Sequence, residues 1–268
     1  MRLRACLARA LVLCCAAGAA RSQDFAGAAH AAATDDAFAL LERALPSAAP
    51  GLAAEVAHTR WWDSRELETR AAAVSGGWRT LRASFGVSQT GAPELGWTAL
   101  ALAAGGASAD AGAALRACTR LDRDAPWSAA RAAADGAGLE LGAGAWLVPA
   151  AGVRVWASAP QIWTRGAAPP LARALEVGVR TGDDTGAWLL LRAPRAGDDG
   201  ERALGVAIAL APLTAWAEVR DAPLRGGAGV RAAAGALGVE ARVDVHPVLG
   251  ETVRAALSWR RSAPGAAP

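Results

Sequence analysis

The chain contains no lysine, no asparagine and no tyrosine, and only two isoleucines, Ile162 and Ile208. This pattern reads as avoidance of A/T-rich codons, not as a demand of the fold. Two consequences follow. Alanine richness carries no helix signal here, because alanine stands in for other residues. Any aromatic needed at an interface must be tryptophan, and there are eleven Trp against three Phe.

Other scarcities exclude chemistry. The three histidines, His30, His58 and His246, have no metal-ligand spacing. Three of the four cysteines, Cys6, Cys14 and Cys15, fall within the first twenty-two residues and leave Cys118 alone, so neither a disulfide nor a cysteine metal site is expected. Without asparagine there is no Ser-His-Asn arrangement of the kind used by barrel lipases. A set of Ser258, His246 and Asp244 is the one conceivable nucleophilic variant, and a hydrated polar lumen is the plainer account of those residues. No phosphate loop, nucleophile elbow or paired CxxC is present. The expectation is a non-enzymatic protein without a cofactor. The net charge of +3 is spread along the chain without a basic run, which argues against nucleic acid as a partner. After residue 22 no uncharged apolar run reaches the ~18 residues of a transmembrane helix. A membrane protein of this sequence has to be a closed barrel.

The N-terminus has the parts of a secretory signal. Met1-Arg2-Leu3-Arg4 is positive, Ala5 to Cys15 is apolar apart from Arg9, and small residues around Ala17-Gly18-Ala19 or Ala20-Arg21-Ser22 suit cleavage. Residues 1–22 are read as this signal and residues 23–50 as an N-terminal segment. In that segment Thr34 or Asp35 can cap a short helix in which Phe38, Leu41 and Leu45 share a face, stopped by Pro46. A plug or periplasmic helix and a loose arm are both compatible with it.

From residue 51 to 261 the rhythm changes. The last hairpin shows it best: Val239, Ala241, Val243 and Val245 alternate with Glu240, Arg242, Asp244 and His246, and Val253, Ala255, Leu257 and Trp259 alternate with Arg254, Ala256, Ser258 and Arg260. A period of two predicts strands with one greasy and one ionic face. Charges facing a dry interior would be costly, whereas a barrel in lipid places its apolar face outward and its polar face on a wet lumen. The same rule recurs in Leu81–Val87, Leu139–Leu147, Leu175–Val179 and Leu204–Leu210; Trp188-Leu189-Leu190-Leu191, apolar on both faces, breaks it.

Segments of this kind fall at 52–61, 68–77, 79–90, 94–105, 111–121, 137–148, 152–163, 172–181, 187–194, 202–211, 213–221, 227–234, 238–246 and 251–260. They predict an all-β, up-and-down antiparallel transmembrane barrel of about fourteen strands, with a flexible tail over 262–268. Short inner turns are expected at Gly76-Gly77, Pro149 to Ala151, Gly182 to Thr185, Pro212 and Gly235-Ala236. Longer outer loops are expected at 122–136, 164–171, 194–201 and 246–251. Trp61, Trp62, Trp78, Trp97, Trp163 and Trp259 fall near strand ends, as an aromatic girdle at the membrane interface requires. The alternation points Arg82, Arg116, Glu140, Arg154, Glu176, Arg180, Arg192, Glu218, Arg220, Arg231, Glu240, Arg242, Asp244 and Arg254 into the lumen. These either guide a ligand or pair into a mostly closed interior; so many arginines beside small residues favour a narrow or occluded lumen. A soluble, exported β-sandwich that binds a ligand is the alternative from another class.

Within the last hairpin, His246-Pro247-Val248-Leu249-Gly250-Glu251-Thr252-Val253-Arg254 resembles the LG-x-T-h-R pattern that leads into the last strand of the PorV/PorQ group of FadL-like outer-membrane barrels. Asp35 to Leu41 followed by Pro50-Gly51-Leu52-Ala53 is similar to that group's N-terminal segment, with Ser47-Ala48-Ala49-Pro50 where the group carries Asn-Pro-Ala. The resemblance implies export to the bacterial outer membrane and a fourteen-stranded barrel. Its role would be passage of a hydrophobic small molecule or support of protein secretion. The partners implied are outer-membrane lipid and a hydrophobic small molecule or secretion-system proteins. A closed-lumen scaffold that anchors a secretion machine is the other role the group suggests.

Overall fold

A computed structural model describes residues 37–47, 51–64, 67–92, 95–123, 138–165, 175–182, 185–193, 201–221 and 224–262. The signal and tail expectations (1–22 and most of 262–268) and the three longest outer connections lie outside the described residues.

Among the described residues one short helix, α1 (Ala37–Arg43), precedes fourteen strands. They are β1 (Gly51–Arg60), β2 (Glu68–Trp78), β3 (Leu81–Ala92), β4 (Leu95–Ala107), β5 (Ala111–Arg123), β6 (Gly138–Ala150) and β7 (Val153–Arg165). The second half continues with β8 (Leu175–Thr181), β9 (Gly186–Ala193), β10 (Glu201–Leu210), β11 (Leu213–Asp221), β12 (Leu224–Ala234), β13 (Leu237–His246) and β14 (Gly250–Ser262). Each strand pairs antiparallel with its neighbours in sequence, and β1 closes onto β14 from Gly51↔Ser262 to Arg60↔Val253. Closure removes every sheet edge, which an open sheet would have to protect. It also replaces the β-sandwich alternative, since the described strands form one closed ring and not two stacked sheets.

All fourteen strands expected from the period-two pattern are present. Some of their ends differ from expectation, because a glycine pair or a proline does not by itself locate a turn. The β2–β3 turn is Arg79-Thr80, not Gly76-Gly77, so both glycines lie within β2. The β6–β7 turn is Ala151-Gly152, and Pro149 stays in its strand. Gly152 holds φ +73°, a left-handed conformation that glycine adopts without strain.

The two faces differ sharply. Outside lie Leu52, Val56, Val74, Phe85, Leu102, Leu115, Val206, Ile208, Val230 and Leu257, all exposed. An apolar surface encircling the molecule far exceeds what a soluble monomer carries. Inside lie arginines, carboxylates, hydroxyls, small residues and tryptophans. The chain thus has the inverted polarity of a barrel built for hydrocarbon.

Candidate functional site

The lumen has two unlike halves. Along β1–β5 and β14 the wall is small: Ala57, Ala71, Ala73, Ala99, Ala101, Ala103, Ala114, Cys118 and Ala256 all point inward and are buried. The recess they leave receives α1. Phe38 and Leu41 are fully buried there, with Ala37, Leu40 and Ala44 beside them. Along β6–β11 the wall fills its own space with Trp146, Trp156, Trp188, Trp216 and Leu190, against which Leu45 packs. The helix ends at Arg43, before Leu45, with Ala44 at φ +54°. Leu45 therefore does not continue the helical face of Phe38 and Leu41 as expected, yet all three are seated inside the ring, against both halves of the wall.

Each of those four tryptophans lies opposite a glycine on the adjoining strand. The pairs are Gly112↔Trp146, Trp156↔Gly178, Gly205↔Trp188 and Trp216↔Gly229. A Cβ on any of these glycines would run into the facing indole. The glycines give the rings a flat floor, so bulky side chains lie along the wall instead of standing across the lumen. Trp188 and Leu190 account for the apolar stretch that breaks the alternation: they belong to this inner cluster, while Leu189 and Leu191 face outward.

Wall side chains hold the seated segment through its backbone. Ser84 Oγ donates to the Ala37 carbonyl at 3.2 Å and Ser158 Oγ to that of Arg43 at 2.6 Å. Trp146 Nε1 donates to the Pro46 carbonyl at 2.7 Å, and Arg82 Nε to that of Ser47 at 2.8 Å. The last carbonyls of a helix have no partner within it, and a wall donor such as Ser158 satisfies one of them. One ion pair is added, Arg43 Nε to Glu176 Oε1 at 2.9 Å. Arg254 lies over the Phe38 ring with its guanidinium carbon 5.9 Å from the ring centre. Gly144 lies so close to the Arg43 and Ala44 carbonyls that any side chain there would displace the segment.

Beyond this segment the inner wall is ionic. Arg254 bridges Glu55 (3.1 Å) and Glu240, joining β1, β14 and β13. Glu218 takes Arg220 at 2.6 Å and the Trp188 indole N–H at 3.0 Å, with Arg242 at 4.0 Å. Arg242 also pairs with Asp244 at 2.6 Å. Arg154 stacks over Trp146 and Arg120 over Trp97, while Arg231 donates to Ser258 at 3.2 Å. Of the charges assigned to the lumen, Arg82, Arg116, Glu140, Glu176, Glu218, Arg220, Arg242 and Arg254 are buried. Arg154, Arg180, Arg231, Glu240 and Asp244 occupy inward positions and are half-buried. The Arg192 side chain lies outside the described residues. Arg260 shares the inward face, as the alternation of the last hairpin has it; Arg120 and Arg225 lie there too, and sequence reasoning misses those two. Among the described side chains arginine outnumbers carboxylate on this wall: Arg82, Arg116, Arg120, Arg154, Arg180, Arg220, Arg225, Arg231, Arg242, Arg254 and Arg260 against Glu55, Glu140, Glu176, Glu218, Glu240 and Asp244.

The tryptophans expected in a girdle divide. Trp78, Trp163 and Trp259 are exposed on the outer face near strand ends. Trp61 and Trp97 turn inward instead. Trp61 is buried and donates to Thr69 Oγ1 at 2.8 Å, and Thr69 in turn bonds Thr90 at 2.9 Å. Trp97 has the same strand parity as Ala99 and Ala101 and lies beneath Arg120. Trp62, in the β1–β2 turn, lies with its ring centre 6.0 Å from that of Trp61. Closeness to a strand end is the sequence signal for a girdle; parity along the strand decides which way the ring points.

No catalytic constellation forms from Ser258, His246 and Asp244. Ser258 pairs with Gly238 and His246 with Gly250, at opposite ends of the hairpin. About eight residues of strand separate those levels, roughly 26 Å. His246 Nδ1 accepts the N–H groups of Val248 and Leu249 at 3.2 and 3.1 Å, so it is engaged in its own turn. Among the described residues no group of three His, Cys, Asp or Glu side chains is arranged to hold a metal ion.

Comparison with solved structures returns outer-membrane barrels. The outer membrane protein Omp33 of Acinetobacter baumannii superposes with a TM-score of 0.50 at 11% identity, covering 80% of this chain and 99% of that one. Mutant forms of the Rhodopseudomonas blastica porin give TM-scores of 0.45 and 0.46 at 10% identity, covering 79% of this chain and 99% of theirs. No protein-family model and no curated protein sequence matches the chain. The likeness to Omp33 is one of fold: a closed antiparallel barrel of the outer-membrane type.

Proposed function

We propose that this chain is a non-enzymatic barrel of the bacterial outer membrane, shut at rest by its own N-terminal segment acting as a plug, which passes solute when that segment leaves its seat. The observation that carries the reading is the burial of α1 within the closed ring. A seven-residue helix has little stability of its own, so its position depends on the alanine recess and on a few wall hydrogen bonds. Such a segment can be released without disturbing the strand ladder that holds the barrel together.

The apolar outer face supports a membrane location, and the signal-like residues 1–22 support export with cleavage. The His246–Arg254 resemblance to the PorV/PorQ group supports a place among FadL-like barrels, whose two roles are passage of a hydrophobic solute and service to a secretion machine. The ionic inner wall supports polar solutes more than hydrophobic ones. A second reading, a permanently closed scaffold, is favoured by the tryptophan-filled half of the lumen, which stays occupied whether or not α1 is seated.

Planar-bilayer recording tests the two. In the plugged-channel reading the full chain is nearly silent, and Phe38→Asp with Leu41→Asp produces frequent openings while the barrel still shows heat-modifiable migration on a gel. A folded, silent double variant turns the result to the scaffold. A wild-type chain that conducts as freely as the variant removes the plug reading. Uptake of a labelled fatty acid by cells with and without the gene tests the hydrophobic branch.

A further inference from the structure

The lumen wall has the wrong charge balance for a passage indifferent to ion sign. Several of its carboxylates are already matched: Glu55 and Glu240 share Arg254, Glu218 takes Arg220, and Asp244 takes Arg242. Pairing cancels charge one for one, so the surplus of arginine over carboxylate among the described inward side chains stays positive however the pairs are drawn. Contacts other than ion pairs also hold guanidinium groups on this wall, with Arg154 and Arg120 over indole faces and Arg231 on a serine hydroxyl. The surplus belongs to the wall and does not leave with the plug, because Arg43 is not part of it.

From this we infer that the lumen, once α1 is displaced, admits small anions, inorganic or carboxylate-bearing, and turns back cations of similar size. The inference rests on the plugged-channel reading and adds the solute class to it. The physics is that of a fixed charge beside a narrow aqueous path with low-dielectric walls. There the field is focused along the path, and counter-ions accumulate while co-ions are depleted. Rings of arginine or lysine give anion pores by this means. The arrangement suits weak, repeated contacts, since the guanidinium groups are spread around the strands and are not gathered in one tight cluster that would trap the ion.

The test is the reversal potential of the full chain carrying Leu41→Asp, in a bilayer with a potassium chloride gradient. Chloride should permeate several-fold more readily than potassium. Adding Arg120→Glu and Arg231→Glu, which reverse two charges of the inner wall, should bring the ratio toward one or invert it. Heat-modifiable migration verifies that each variant is folded; if Leu41→Asp fails to fold, Ser158→Ala with Arg43→Gln loosens the seat more gently. Openings that favour potassium, or a ratio unmoved by the two charge reversals, overturn the inference while the plug reading stands. A folded variant that never opens overturns both. Steady anion-selective conduction by the wild-type chain removes the plug reading alone and leaves the anion assignment in place.

Discussion

At the scale of the residue, the interior is organised by pairs in which one member is specified by the other. Glycine opposite tryptophan is the recurring one. Gly205 lies beneath Trp188, and any larger residue there must push the ring off its floor. We expect Gly205→Leu to destabilise the barrel by about 1–3 kcal/mol, the usual cost of overfilling a packed interior. Gly226→Ala, where an added Cβ meets nothing within 4 Å, should leave the midpoint of urea unfolding unchanged. Arg254 shows a different dependence. It bridges Glu55 and Glu240, and all three side chains are largely removed from water. Arg254→Leu takes the shared guanidinium away from two carboxylates of the inner wall and should cost about 3–5 kcal/mol. Combining Arg254→Leu with Glu55→Gln and Glu240→Gln removes the carboxylate charge and should recover most of that loss. Urea midpoints of the single and triple variants give the comparison, and equal destabilisation of the two would show that packing, not charge, sets the effect.

At the scale of the element, the strands and the seated helix depend on different information. A strand in this chain is fixed by alternation over ten residues or so, and the ladder adds a partner on each side. The helix is fixed by a cavity that other elements leave vacant. We expect trypsin to spare the Arg43–Ala44 bond in the folded wild-type barrel and to cut it in Leu41→Asp, because Leu41 is fully buried and a carboxylate cannot remain in the alanine recess without a partner. Equal resistance in both would mean that α1 stays seated without its apolar face. The same contrast explains what is legible in the sequence. Val239 to Val245 against Glu240 to His246 announces a strand whatever surrounds it, and the clearest strands are legible for that reason. Others, such as the apolar Trp188 to Leu191, are legible from segment length and the turn residues around them. The seat is not. Ala99, Ala101 and Ala103 form its floor, but Ala104 and Ala113 on neighbouring outward positions look the same in a sequence where alanine is everywhere. The tryptophan floors are hidden for another reason: Trp188 and Gly205 belong to different strands, and only the register brings them together. Position along the chain assigns Trp61 and Trp97 to the girdle, whereas the side of the sheet they take depends on strand parity and, for Trp61, on a hydrogen bond to Thr69.

At the scale of the whole molecule, one orientation decides what the surroundings must be. Phe85, Val206 and Leu257 sit near the middle of β3, β10 and β14 and are exposed at 45, 50 and 49%. In water these positions would accept arginine readily, since an exposed apolar side chain gains nothing by staying apolar and a charge raises solubility. In a bilayer each arginine must enter hydrocarbon at mid-depth. The cost there is about 2–4 kcal/mol for a barrel surface, falling toward zero near the interfaces. We therefore expect Phe85→Arg, Val206→Arg and Leu257→Arg each to reduce the folded fraction in lipid vesicles, read as the heat-modifiable band on a gel. Arg202, already charged on the same outer face of β10 but at the strand's end beside Asp221, supplies the depth control: Arg202→Leu should change folding little. Should the three mid-strand arginines fold as well as wild type, or fold better without lipid, the apolar ring faces something other than hydrocarbon. The plug and the anion path would then lose the membrane that gives them a purpose.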